Sequence, residues 1–211
     1  MAKKGKKKFN IGVLLLIILL LGGGVFGFLL FSGKIDFSKE KKINNANKGM
    51  ALEDMINKTN DYYQTHNIAF VSKRPTSIKI LKTSDKYKIT EAVFLAPSTL
   101  DYVGVCEGHY LDFEAKETTS KKGFPMSNIA SHQLKAMEAI IKQKGITFAI
   151  VFLRVFNEIY LIDGQVLLNA NKENKTIIPY DEIKQVGHLI KEGYFTPVDY
   201  IKIVKDIYFE K

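Results

Sequence analysis

The alternation of apolar and polar positions predicts a body of mixed helices and strands. Leu52–His66 has apolar residues at intervals of three and four, which predicts a helix packed on a sheet, and Ser131–Lys144 is a second amphipathic stretch. Ile146–Val155 is apolar almost throughout, which is typical of a central strand buried on both faces. Further strands are predicted at 68–71, 76–83, 87–95, 101–105, 110–117 and 158–163, and further helices at 181–185 and 198–209. The fold class expected is α/β, with a mixed central sheet flanked by helices.

The runs 76–83 and 87–95 flank a polar turn and predict a β-hairpin. Residues 73–88, which run from just before the hairpin to the start of its second strand, are locally basic, with Asp85 as the one acid among them. A cluster of this kind can neutralise several phosphates, whereas a solvated strand surface is the alternative interpretation. The candidate DNA-binding residues are Lys73, Arg74, Lys79, Lys82, Lys86 and Lys88.

The N-terminal region has a different composition from the body. Residues 1–10 are basic, and residues 11–31 hold no charge over about 21 positions, long enough at roughly 1.5 Å per residue to cross a bilayer core. They predict a transmembrane helix, with a cleaved signal peptide or a gene-start error as alternatives. Residues 32–46 have the composition of a linker, and 47–211 remain as one catalytic domain. The expected location is the cytoplasm, tethered to the inner face of the membrane if the anchor is genuine.

The positive charge belongs to the N-terminal region rather than to the body. Of the 31 basic residues ten precede Gly49, together with two of the 22 acidic ones, which leaves 21 basic against 20 acidic residues from Gly49 onward. The net charge of +9 is therefore no argument that the body binds nucleic acid. A single cysteine, Cys106, excludes an intramolecular disulfide and a zinc cluster built on cysteines.

The candidate chemistry lies between residues 99 and 116. Glu114 and Lys116 are two residues apart, so on a strand they share a face, while Ala115 points into the packing. With Asp101, Glu114 would supply the charged oxygens that Mg²⁺ prefers, and a lysine beside them can stabilise charge developing on a phosphate. This combination predicts a metal-dependent nuclease.

Several segments together resemble the RecU-type Holliday junction resolvases, which have the PD-(D/E)XK, or restriction-endonuclease-like, nuclease fold. The block 112–118, Asp-Phe-Glu-Ala-Lys-Glu-Thr, is the most specific match, because a bare Glu-x-Lys occurs by chance in most proteins. The segments that carry the resemblance are 47–50, 58–63, 73–76, 98–102, 111–118, 124–125, 132–133, 157–160 and 198–201.

The resemblance implies a Mg²⁺ site, with Mn²⁺ as a possible substitute, made by Thr99, Asp101, Glu114 and Gln133. It implies that Lys116 stabilises the transition state. It also implies a homodimer that resolves four-way junction DNA by paired symmetric nicks in recombination and repair, with the hairpin entering the junction. Thr99 is expected to share a strand face with Asp101.

Some positions depart from the family pattern. The hairpin is shorter than in typical relatives, and His109 stands where they usually have arginine. Asp112 and Glu117, which flank the motif, are expected to face away from Glu114. Glu53 is a further candidate for assisting the metal or phosphate. Two alternative functions stay open: a membrane-attached or exported nuclease of lower specificity, and a non-catalytic, membrane-tethered DNA-binding recombination protein.

Overall fold

A computed structural model describes residues 51–84, 88–95 and 99–209. The basic N-terminus 1–10, the predicted transmembrane segment 11–31, the predicted linker 32–46 and Lys86 lie outside the described residues. Within the described ranges, no helix is both long and apolar enough to cross a membrane. The anchor and the domain boundary at residue 47 therefore stay predictions.

Six strands form the central sheet, in the order β1-β4-β5-β7-β8-β10. Strands β5 and β7 are parallel, and every other neighbouring pair is antiparallel. The predicted mixed sheet is thus confirmed. The strands are β1 (Phe70–Lys73), β4 (Tyr102–Cys106), β5 (His109–Thr118), β7 (Ile146–Leu153), β8 (Glu158–Asp163) and β10 (His188–Ile190).

Five helices and two smaller sheets complete the described fold. Helix α3 and strands β6, β9 and β10 were not predicted from the sequence; all four are short, at three to nine residues. The two-stranded sheets pair β2 (Ile78–Thr83) with β3 (Ile89–Phe94), and β6 (Gly123–Pro125) with β9 (Ile177–Pro179). The helices are α1 (Leu52–Thr65), α2 (Ser131–Lys142), α3 (Gly164–Lys172), α4 (Tyr180–Val186) and α5 (Tyr200–Tyr208), with a 3₁₀ turn at Met126–Asn128.

The central sheet separates two hydrophobic cores. All eight residues of β7 are buried, as the apolar run predicts for a strand covered on both faces. Helices α1 and α5 cover one face, where Phe113 of β5 stacks on Phe148 of β7. Helices α2, α3 and α4 cover the other face, which receives Ala149 of β7. Glu114 is completely buried at the edge of this second layer.

The turn between β4 and β5 sets the register that builds the site. Glu107 and Gly108 both have positive φ, at 48° and 81°, as a tight two-residue hairpin turn requires. The register then runs from Cys106 opposite His109 to Tyr102 opposite Phe113. Strand β5 continues beside β7 as far as Thr118, whereas β4 starts at Tyr102, opposite Phe113. The last five residues of β5 therefore have no partner in β4.

The hairpin β2–β3 is separate from the central sheet, and every described residue in its strands is exposed. The predicted hairpin is confirmed, with Lys79, Lys82 and Lys88 on it. Its surface is also apolar to a degree that the basic cluster did not suggest. The large hydrophobic residues exposed on it are Ile78, Ile80, Leu81, Ile89, Val93 and Phe94.

Candidate active site

Asp101 lies immediately before strand β4, and its carboxylate is held by strand β5. Its Oδ2 atom accepts a hydrogen bond of 3.1 Å from the backbone N–H of Ala115. This N–H has no strand partner on that side, because the pairing of β4 with β5 ends at Phe113. Because β4 starts only at Tyr102, Asp101 lies beside the segment of β5 that carries Glu114 and Lys116.

The two carboxylate oxygens of Glu114 have different surroundings. Oε1 lies 2.6 Å from the Lys116 Nζ atom and also accepts a 2.6 Å hydrogen bond from the side-chain amide nitrogen of Gln133. Oε2 is buried and has no hydrogen-bond partner among the described residues. A buried polar atom without a partner is costly, so an unpaired carboxylate oxygen here indicates a position for a proton or a cation.

Gln133 is fixed at both ends of its side-chain amide. It is the third residue of helix α2, and its Oε1 atom accepts a 2.9 Å hydrogen bond from the backbone N–H of Ala130, the residue that caps the helix. The amide nitrogen is thereby directed at Glu114. In this orientation Gln133 positions the Glu114 carboxylate, and its role as a direct metal ligand stays a prediction.

The electrostatic environment of Glu114 is unfavourable to its charge. Burial, together with the neighbouring carboxyl of Asp101, raises the pKa of Glu114 to about 8, although Lys116 acts in the opposite direction. Two acids in one partly enclosed site repel each other when both are ionised. A divalent cation between them would remove the repulsion and give Oε2 of Glu114 a partner.

The donor set fits a hard divalent cation such as Mg²⁺. It offers carboxylate oxygens from Asp101 and Glu114, and the described residues contain no group of three or more histidine, cysteine or acidic residues that could hold a metal ion. Mg²⁺ is commonly held by one or two carboxylates and keeps several waters, so two acids suffice for it. The Lys116 side chain is partly exposed, at 25%, which leaves an approach for a phosphate.

The strand argument for Thr99 is wrong, because β4 begins at Tyr102 and Thr99 lies in the bend before it. Its side chain is exposed. Alternation of faces therefore does not relate Thr99 to Asp101. Thr99 as a ligand stays a prediction that rests on the resemblance.

The expectation that Asp112 faces away from Glu114 is also wrong. Alternate residues of β5, Leu111 and Phe113, point into the first core, so Asp112 shares the opposite face with Glu114. The two-residue period of a strand is the signal that identifies it. Asp112 is 2% exposed and forms a 2.6 Å ion pair with Arg74.

Glu117 faces the other side, as expected, and has a structural role there. Its Oε1 atom accepts a hydrogen bond from the backbone N–H of Leu52 at the start of helix α1. Its other oxygen pairs with Arg154 at 2.7 Å. A carboxylate at a helix N-terminus satisfies an otherwise unpaired N–H and complements the helix dipole.

The predicted DNA-binding residues fall into two groups. Lys73 and Arg74 lie at the end of β1 next to the site, where Lys73 pairs with Glu53 at 2.5 Å. Lys79, Lys82 and Lys88 are exposed on the hairpin, with Lys82 paired to Glu91 at 2.5 Å. Contact with DNA stays a prediction for all of them.

The fold is an α/β fold, with a mixed sheet flanked by helices. Two carboxylates and a lysine converge where β5 extends beyond its neighbour β4. Fold and site together are those of a nuclease-like protein. The family model for Recombination protein U matches residues 47–206. The chain belongs to the RecU family, as its resemblance to that family predicted.

Curated relatives are similar over most of their length. The Holliday junction resolvase RecU of Bacillus cereus (strain AH820) is 41% identical over 177 residues, covering 80% of this chain and 88% of the relative. The proteins of the same name from Bacillus anthracis (strain A0248) and Bacillus thuringiensis (strain Al Hakam) show the same identity and coverage. Resolvases are endonucleases, so the predicted enzyme class is confirmed at the level of the family.

Proposed function

We propose that this chain is a Mg²⁺-dependent endonuclease that cuts four-way DNA junctions by paired symmetric nicks, in recombination and repair. We expect the protein to act in the cytoplasm. Tethering to the inner face of the membrane through residues 11–31 is a separate prediction. The relatives named as Holliday junction resolvases support the substrate. Mn²⁺ would serve as an alternative cation, because it suits the same oxygen ligands.

The single observation that carries the proposal is the arrangement around Glu114. Lys116 and Gln133 occupy one of its oxygens, while the other is buried without a partner among the described residues, beside Asp101. Most buried polar atoms have a partner, so an unpaired oxygen beside a second acid and a lysine supports a position for a cation. The arrangement supports a metal site here, because the Glu114 carboxylate is already held in place by protein contacts.

The residues have distinct tasks in hydrolysis of a phosphodiester. A bound divalent cation supplies Lewis acidity and an activated water. Asp101 and Glu114 would hold it, with Thr99 and Gln133 as the remaining predicted ligands. Lys116 is placed to balance the negative charge that builds on the phosphate oxygens.

The homodimer is part of the proposal because two symmetric nicks need two sites related by a two-fold axis. The exposed apolar side chains of the hairpin support it, since contiguous exposed apolar patches on soluble proteins commonly mark contact surfaces. The hairpin is also where Lys79, Lys82 and Lys88 would meet the junction DNA.

A competition assay tests the function. Full-length protein is incubated with Mg²⁺, a labelled four-way junction and an excess of linear duplex with the same arm sequences. We expect nicks at symmetric positions in opposing junction strands, with the duplex uncut. Equal cutting of both would identify the less specific nuclease, and junction binding without cutting would identify the non-catalytic DNA-binding protein.

A further inference from the structure

A third carboxylate, Asp112, lies on the active-site face of β5, two residues before Glu114. It is 2% exposed, and its Oδ1 atom has no hydrogen-bond partner among the described residues. The Tyr110 hydroxyl donates a 2.8 Å hydrogen bond to its Oδ2 atom. An ionised acid in such a place is stable only with a close cationic partner.

Arg74 supplies that partner and reaches the other half of the site as well. Its Nη2 atom lies 2.6 Å from Oδ2 of Asp112, and its Nε atom donates a 3.3 Å hydrogen bond to the carbonyl of Leu100. Its backbone N–H donates a 2.7 Å hydrogen bond to the carbonyl of Asp101. One residue therefore connects strand β5 with the bend that carries the first acid.

The geometry of these contacts suits arginine in particular. A guanidinium group presents several donors in a rigid plane, so it can bond a carboxylate and a carbonyl at once, whereas a lysine ammonium is a single point charge on a flexible stem. The Arg74 side chain is 28% exposed, and its Nε and Nη2 atoms both contact protein acceptors. This is unlike Lys79, which is exposed on the hairpin.

We infer that Arg74 and Asp112 form a positioning pair that holds the Asp101 bend against strand β5 and so sets the affinity of the site for its divalent cation. Arg74 then acts through Asp101 and Glu114 rather than by contacting a phosphate. The inference rests on the proposed function, because it takes these two acids as the metal site. Outer partners of metal ligands contribute about 10–100-fold to metal affinity in other proteins.

The test measures Mn²⁺ binding to the full-length protein by calorimetry, without DNA, for the parent, Arg74→Met and Arg74→Lys. We expect Arg74→Met to weaken Mn²⁺ binding by about 10–100-fold. Arg74→Lys should recover only part of the loss, because it keeps the charge but lacks the planar fork. Cleavage by Arg74→Met should recover at high Mn²⁺ concentration, as expected for a site that is misplaced but chemically intact.

Lys142→Met is the matched control, since Lys142 pairs with the exposed Glu138 on helix α2 instead of a buried acid and lies outside the predicted DNA-binding residues. Junction affinity is measured without metal for both variants at several salt concentrations. If Arg74 instead bound a DNA phosphate, Arg74→Met would lower junction affinity and reduce the salt slope by about 1, with Mn²⁺ binding unchanged. That result would overturn the inference.

A double-mutant cycle separates positioning from a general loss of structure. If the two residues act as a unit, Arg74→Met combined with Asp112→Asn weakens Mn²⁺ binding no more than the worse single variant. Additive losses would contradict the pair. Should Arg74→Met not fold, as judged by its melting curve, Arg74→Lys and Asp112→Asn carry the comparison.

The outcomes also distinguish this inference from the proposed function. Mn²⁺ binding that depends on Arg74 in a protein that cuts no junction would leave the pair supported and overturn the nuclease. Junction cutting by a protein whose Mn²⁺ binding does not change when Arg74 is replaced would support the nuclease and overturn the positioning pair.

Discussion

At the scale of the residue, the two oxygens of Glu114 explain why this site would need a cation. One oxygen is shared by Lys116 and Gln133, and the other is buried beside Asp101 with no partner among the described residues. The carboxylate is thus oriented before any ligand arrives. Its raised pKa is the electrostatic cost of that arrangement.

This cost predicts a pH dependence of metal binding. With a pKa of about 8, Glu114 is mostly protonated at neutral pH in the metal-free protein, and the proton must leave before a cation can bind. Below pH 8 each unit of acidification should therefore weaken Mn²⁺ binding by about tenfold, and above pH 8 the affinity should level off. Calorimetry between pH 6 and 9 measures this. An affinity independent of pH between 6 and 8 would contradict the raised pKa.

The period of a strand is enough to place Glu114 and Lys116 on one face, as predicted. The same period places Asp112 on that face too, so the expectation that it faces away misapplied the rule. The contact of Gln133 with Glu114 spans 19 positions and that of Arg74 with Asp112 spans 38. Such contacts depend on how the elements pack, which no local pattern in one sequence specifies.

At the scale of the element, strand β5 organises both sides of the sheet. Its even-numbered positions 112, 114 and 116 form the site, and Glu117 on the other face accepts the N–H of Leu52 at the start of helix α1. Arg154 completes this contact. The helix is thereby fixed to the strand that carries the chemistry.

We predict that Glu117→Ala destabilises the protein by about 1–2 kcal/mol, because it removes a helix-capping acceptor and leaves Arg154 without this partner. Chemical denaturation of the full chain measures the change. Glu138→Ala is the control, since the Glu138–Lys142 pair is exposed to solvent and should contribute little to stability. Equal effects of the two variants would show that Glu117 has no capping role.

The longest elements were predictable, and the three-residue strands were not. Strand β7 is a continuous apolar run of eight residues, and helices α1 and α2 have apolar residues at helical spacing, so their existence follows from the pattern. Strands β6, β9 and β10 have three residues each and form because neighbours offer them partners. Their formation depends on the tertiary fold, as does the start of β4 at Tyr102, which leaves Asp101 beside β5.

At the scale of the whole molecule, the separate hairpin is the feature that bears on assembly. It combines exposed lysines with exposed apolar side chains such as Val93 and Phe94. A surface of that kind would suit the proposed homodimer on DNA, with apolar groups against the second copy and lysines toward the phosphates. The net charge of the body, near zero, requires that such basic surface be local.

Phe94→Lys should therefore weaken the dimer and abolish paired nicking, since it places a charge in the proposed apolar contact. Sedimentation of the full chain should show a shift toward monomer. Val155→Lys is the control, because it adds the same charge at an exposed apolar position outside the hairpin. A Phe94→Lys protein with the parent's mass in solution would exclude the hairpin as the dimer contact.

The most direct test of the central claim is junction cleavage by Asp101→Asn and Lys116→Met variants of the full chain in saturating Mg²⁺. Each should lose about 10²–10³-fold or more in cleavage rate, since one removes a charged ligand and the other the group that balances phosphate charge. Junction binding without metal should persist in both. Cleavage at the parent's rate by either variant would contradict the assignment of this site.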